Sequence, residues 1–251
     1  MRRALIAACL TVGALVGSTA AEAVPYDLTA DFSNTDNPNA AGWSYVYPGL
    51  HHISAPDSVG NHLEPALANG FFGAGANLNN DTPFVFKSAI DGHAATGLTD
   101  SDFMTGDVVV HTPNSGSALT IQWKAPTAGT ITDLAASLWY AHSTVARSNN
   151  VVLSLAGIVL DSWTISSSEH AGRGNAAAYA GAGPFAVAAG DLLTLSFTRT
   201  SPEYGSLVGV AASFEFAAAV TPIPAALPLF MTGLAGLGWI ARRRGKAAVH
   251  G

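Results

Sequence analysis

The sequence predicts an all-β protein, an antiparallel β-sandwich or jelly roll held between an N-terminal signal peptide and a C-terminal single transmembrane helix. Three observations predict it. Apolar residues recur with a period of two in several runs between Val24 and Ala219, clusters of Gly, Asn, Asp, Pro and Ser separate those runs, and helical periodicity is scarce there. A period of two puts alternate side chains on opposite faces of a strand, and apolar-in, polar-out alternation marks antiparallel sheets with one face on a core. The chain divides accordingly into residues 1–23, 24–219 and 220–246.

The first element is the leader. Met1-Arg2-Arg3 precedes an apolar run from Ala4 to about Val16, and Ala21-Glu22-Ala23 follows. A basic start, a short apolar stretch and an Ala-x-Ala site describe a secretory signal peptide, so the exported chain is expected to begin at or within two residues of Val24. The run of 13 residues is shorter than the ~20 that a bilayer span needs. Ile6-Ala7-Ala8-Cys9 has the look of a lipobox, but too short an apolar stretch precedes the cysteine for export. Cys9 is the single cysteine, so the exported chain must fold without disulfides. Its 196 residues are enough for a core that needs none.

The strands come next. Leu119, Ile121 and Trp123 alternate with Thr120, Gln122 and Lys124, and the run ends at the turn Ala125-Pro126-Thr127-Ala128-Gly129. Val151, Leu153 and Leu155 repeat the pattern, and Gly157 permits a tight turn before Ile158-Val159-Leu160. Leu193, Leu195 and Phe197 alternate with Thr194, Ser196 and Thr198; Val208, Val210, Ala212, Phe214 and Phe216 form the last strand. The stretches Phe71 to Gly75 and Gly172 to Pro184 read as surface loops.

The third element is the tail. Ala225 to Ala241 is an apolar run of 17 residues, preceded by Pro222-Ile223-Pro224 and followed by Arg242-Arg243-Arg244-Gly245-Lys246. As a helix it would be roughly 25 Å long, enough for a thin bilayer, and Arg242, Arg243 and Arg244 act as a membrane stop on the cytoplasmic side.

Charge excludes some functions. Between Val24 and Ala219 sixteen acidic side chains face five basic ones, a net charge of −11. That balance, without a basic patch, argues against nucleic acid and acidic lipid headgroups as partners. No catalytic residues, cofactor or metal site are expected. Gly42-Trp43-Ser44-Tyr45-Val46 lacks the second glycine of a nucleophile elbow. No carboxylate pair suited to glycoside hydrolysis can be named. His51, His52, His62, His93, His111, His142 and His170 lack zinc spacing and read as scattered surface residues. Asp100-Ser101-Asp102 with Asp107 offers oxygen ligands for calcium but lacks the EF-hand glycine and glutamate, so it reads as a solvated turn.

Aromatic residues are the candidates for sugar binding. Trp43, Tyr45 and Tyr47 share one strand face, either as core or as a stacking surface. Trp139 alternates with Ser137 and Ala135, opposite in phase to Leu134, Ala136, Leu138 and Tyr140, so it is expected to face outward and to stack on a sugar ring.

Val220-Thr221-Pro222-Ile223-Pro224-Ala225-Ala226-Leu227-Pro228, then Gly233-Leu234-Ala235-Gly236-Leu237-Gly238 and the triple arginine, resembles the PEP-CTERM sorting signal in its VPLPA-like variant. The resemblance covers about 27 residues. It implies a tail held in the inner membrane of a Gram-negative bacterium until an exosortase-type protease cleaves near Pro222, Ile223, Pro224 and Ala225, and a protein of exopolysaccharide or biofilm matrix. Ile223 stands where the Pro-Glu-Pro form has glutamate. The segments Asp31-Phe32-Ser33, Gly42-Trp43-Ser44-Tyr45, Trp123-Lys124-Ala125-Pro126 and Ala189-Gly190-Asp191-Leu192-Leu193 resemble the exported domains that precede such tails, which look like carbohydrate-binding jelly rolls. The expectation is a non-enzymatic exported surface or matrix protein that meets polysaccharide. The alternatives are a secreted glycan-active hydrolase and a structural envelope protein without a specific ligand.

Overall fold

The computed structural model describes residues 21–53, 71–74, 83–92, 101–142, 145–202, 204–220 and 234. The leader's apolar run, the proline motif Pro222 to Ala225, the apolar tail apart from Leu234, and Arg242 to Arg244 lie outside the described residues. Among the described residues no helix is long and apolar enough to cross a membrane. Glu22 to Ala219 form one compact unit.

In chain order the elements are β1 (Val24–Asp27), the one-turn helix α1 (Leu28–Asp31), β2 (Trp43–Val46), β3 (His51–Ile53), β4 (Phe71–Gly73), β5 (Phe84–Lys87), β6 (Val108–His111) and β7 (Leu119–Lys124). They continue with β8 (Gly129–Tyr140), β9 (Ser148–Leu155), β10 (Ile158–Ser166), β11 (Ala177–Gly181), β12 (Phe185–Val187), β13 (Leu192–Arg199) and β14 (Leu207–Ala218). Among the described residues all paired strands are antiparallel, and they make two sheets. The larger runs β11-β8-β14-β6-β5-β4-β3, with β12 also on β8 and β1 also on β14; the smaller runs β10-β9-β13-β7-β2.

Two 12-residue strands, β8 and β14, form the spine of the larger sheet. The first half of β14 pairs with β6 and its second half with β1, Val24 lying opposite Phe216. The domain's first strand and the end of its last are therefore neighbours, and Ala219 N donates to Ala128 O at 2.8 Å. Within β8 the alternation breaks at Asp133. Ile131 is buried, Asp133 exposed, and Leu134, Ala136 and Leu138 buried again. The register with β14 shifts at this point, and Asp133 has φ 52°. A bulge adds one residue to one strand, and aspartate tolerates the left-handed backbone better than most residues do.

The two sheets enclose one core. Ile121, Leu153 and Leu195 of the smaller sheet and Leu138, Val210 and Phe214 of the larger belong to it. At its centre Trp123 packs edge-on to Phe214 with ring centroids 4.8 Å apart, and Tyr26 stacks on Phe214 at 5.1 Å. Burial of side chains of this size contributes about 1.5–3 kcal/mol each. One end of the sandwich is tied by polar groups instead. Asn149 of β9, fully buried, accepts from Thr112 Oγ1 at 2.6 Å and donates to Ser206 Oγ at 2.7 Å, linking the smaller sheet to the chain beside β6 and β14.

Two expected loops contain strands. Phe71, Phe72 and Gly73 form β4, buried on both faces, because Phe72 enters the main core while Phe71 joins a second apolar cluster on the sheet's other side. A strand covered on both faces shows no alternation. Within Gly172 to Pro184, Ala177–Gly181 form β11 along β8, a strand of small residues whose pattern is too weak to read.

Candidate functional site

The aromatic residues expected to meet sugar do not face solvent. Trp139 is 2% exposed. It points away from the main core, as its strand phase requires, but that side of the larger sheet carries a second cluster of Phe71, Phe84, Phe86, Phe103, Val109, Trp139, Ala141 and Leu207. Distant segments close over it. Trp139 Nε1 donates to Asp102 O at 2.6 Å, and the Arg173 guanidinium lies 4.3 Å from the ring centroid. Across the sheet stands Gly209, where a Cβ would come within 2.1 Å of Trp139 Cε2. Only glycine leaves room for the indole there.

Trp43 and Tyr45 are core residues. Trp43 is 1% exposed and its Nε1 donates to Asp31 Oδ2 at 3.3 Å. Tyr45, 2% exposed, sits between Phe32 and Phe72 at 4.9 and 5.2 Å, and burial pushes its phenol far above the usual range. A stacking role for Trp139, Trp43 or Tyr45 is thus corrected to packing.

The acidic turn is also engaged internally. Asp102 Oδ2 accepts from Arg173 N at 2.5 Å, while Asp107 Oδ2 accepts from Met104 N at 2.6 Å and pairs with the Arg173 guanidinium. Asp100 lies outside the described residues, and among those described no group of three or more His, Cys, Asp or Glu is arranged to hold a metal. His111 departs from the surface reading. Its ring packs at a tilt against Phe84 with centroids 4.9 Å apart, its Nδ1–H donates to Thr112 O at 2.8 Å, and burial pulls its pKa down to about 3.

The outer surface of the smaller sheet, which no strand of the larger sheet covers among the described residues, is the site the sequence did not assemble. The residues of β7, β9 and β13 that alternate with the core all point to it, and strand register sets them in rows. One row is Ser44, Gln122, Thr194, Ser154 and Val159; the next is Val46, Thr120, Ser196, Val152 and Ser162; a third is Thr198, Asn150 and Thr164. These rows hold hydroxyls, amides and three valines, and no charged side chain. Neighbouring strands stand about 4.8 Å apart and same-face residues about 6.7 Å along a strand, so the groups form a regular grid about 19 Å across.

The grid ends in an open cleft of about 390 Å³, lined by Ala146 to Ser148, Thr164, Ser166 to Glu169 and Thr200 to Pro202. Ser166 Oγ accepts from Ser168 N at 3.3 Å and Glu169 N at 2.9 Å, which shapes one rim. Ser148 and Thr200 share a hydroxyl hydrogen bond of 2.7 Å across the floor. Arg147 donates to Gly205 O at 2.6 Å, and its guanidinium lies 5.2 Å from the centroid of Tyr204. Tyr204 is 52% exposed, a large aromatic left in water beside the cleft. No strand phase in the sequence Ser201-Pro202-Glu203-Tyr204-Gly205 marks it; an aromatic in a Pro- and Gly-bounded segment is the signal available.

No protein-family model matches the chain, and no curated protein matches it in sequence. Solved structures give distant likenesses. A family 35 carbohydrate-binding module from Clostridium thermocellum aligns over 53% of this chain and 90% of its own, at 14% identity and a TM-score of 0.28. The Stig cyclase Fisc from Fischerella sp. TAU aligns over 75% and 91%, at 12% identity and 0.28. A CBM35 from Paenibacillus barcinonensis aligns over 51% and 96%, at 17% identity and 0.23. At these TM-scores the likenesses carry no argument about ligand or activity.

Proposed function

We propose that this chain is an exported, non-enzymatic surface or matrix protein whose β-sandwich holds polysaccharide on the open face of its smaller sheet. The observation that carries the reading is that face: an uncharged grid of hydroxyl and amide groups running into a cleft with the exposed ring of Tyr204 beside it. Hydroxyls and amides each donate and accept, which matches the hydroxyls of a sugar, while an aromatic ring offers a flat apolar surface for its C–H face. Among the described residues the cleft lining includes the carboxylate of Glu169.

Replacing Tyr204 with alanine should weaken retention on polysaccharide about five- to tenfold, a loss of about 1–1.4 kcal/mol. Stability should stay within about 0.5 kcal/mol, as expected at a surface position. Affinity electrophoresis and a denaturation curve measure the two quantities. Unchanged retention would remove Tyr204 from the site.

Export through the signal peptide and transient anchoring in the inner membrane complete the proposal. The apolar run Ala225 to Ala241 with Arg242, Arg243 and Arg244 supplies the anchor, and an exosortase-type protease acting near Pro222 to Ala225 delivers the domain to the surface or medium. Truncation after Thr221 should release folded domain from the membrane. A truncated chain that stays in the membrane pellet places the anchor elsewhere.

A further inference from the structure

We infer that the polymer taken by the open face is neutral, rich in hydroxyl groups but without carboxylate, sulfate or phosphate. This rests on the polysaccharide reading above and adds the ligand's charge. The three rows of the face contain no Asp, Glu, Lys or Arg, although the domain carries twenty-one such residues. Among the described residues, charged groups stand around these rows and not within them. Lys124, exposed and in phase with Thr120 and Gln122, ends β7 at one edge of the face, and Asp161 lies at the bulge of β10, where its Oδ1 accepts from Ser162 N at 2.8 Å. In the cleft, Arg147 is held by Gly205 O and Tyr204, and Glu169 lines the same space with the opposite charge.

Two physical consequences favour a neutral polymer. A polyanion laid along these three rows would lose water from its charges and meet cations only at the edges, Lys124 and Arg147, and desolvating an unpaired charge costs far more than desolvating a hydroxyl that finds a partner. The domain's net charge of −11 also repels a polyanion during approach, over a range of about 8 Å at physiological salt and farther at low salt. A neutral chain meets neither penalty.

The test uses the full chain in detergent and compares dextran and galactomannan with dextran sulfate and alginate, by affinity electrophoresis at low, physiological and high salt. At least one neutral polymer should bind, with affinity changing less than about twofold across the salt series, because no counterions are released. Both acidic polymers should bind at least about tenfold more weakly at low salt. Ser196→Asp, in the middle of the face, should reduce neutral binding about tenfold while the thermal transition is kept; Thr194→Asp in the adjacent row serves if that variant does not fold. Acidic polymers binding better than neutral ones, or neutral binding indifferent to the folded Asp variant, would overturn the inference and leave the polysaccharide reading of the domain standing. No binding to any of the four would overturn both.

Discussion

Replacing Trp139 with alanine should destabilise the domain by about 3–5 kcal/mol, the range for removing a large buried aromatic. The side chain is 2% exposed, its Nε1 donates to Asp102 O, and Arg173 covers the ring. Truncation therefore leaves a cavity and an unsatisfied carbonyl, and it frees the Arg173 segment from its cation–π contact. Gly209→Ala should act on the same spot from across the sheet, since its Cβ would meet Trp139 Cε2 at 2.1 Å. The two effects should not add: once the indole is gone the new methyl group has space, so the double variant should be more stable than the sum of single losses implies. Chemical denaturation of all four proteins measures this. A loss within about 1 kcal/mol for Trp139→Ala would show that the ring is not part of a packed cluster.

Below about pH 6.5 the domain should lose stability, by up to about 1.4 kcal/mol per pH unit, through His111. Burial holds its pKa near 3 in the folded chain, with the Thr112 carbonyl opposing the shift and the nearby His142 and Arg147 adding to it. In the unfolded chain histidine titrates near 6.5. Above that pH both states are neutral and His111 contributes no pH dependence. Between about 6.5 and 3 the unfolded chain binds a proton that the folded chain refuses, so unfolding becomes easier as pH falls; below about 3 both states are protonated and the penalty stops growing. His111→Asn retains a donor near Thr112 O without the titration. Its denaturation midpoint should fall less between pH 6.5 and 4.5 than that of the parent, and parallel slopes in the two proteins would assign the acid sensitivity to other groups.

The strands legible in the sequence were those with one wet face. Leu193, Leu195 and Phe197 alternate with Thr194, Ser196 and Thr198, and the smaller sheet places them inside and outside as the period requires. Legibility failed where the second face was covered. β4 reads as a loop because both its faces are apolar. Trp139 was placed on the correct side of its strand, but its cover comes from Phe103 and Arg173, whose proximity no local pattern encodes. The face itself was visible as separate threonines and serines; only the register of β2, β7, β13, β9 and β10 turns them into rows.

The pairing of β1 with the far half of β14 sets the reach of the domain. Val24 and Ala219 leave the sandwich side by side at one pole, while Leu207, the other end of β14, follows directly on Gly205 and Ser206 beside the cleft. Twelve residues of extended chain separate the two poles, about 36–40 Å at 3.3 Å per residue. The two chain ends of the domain and the cleft are thus held at opposite poles of the sandwich, one β14 length apart.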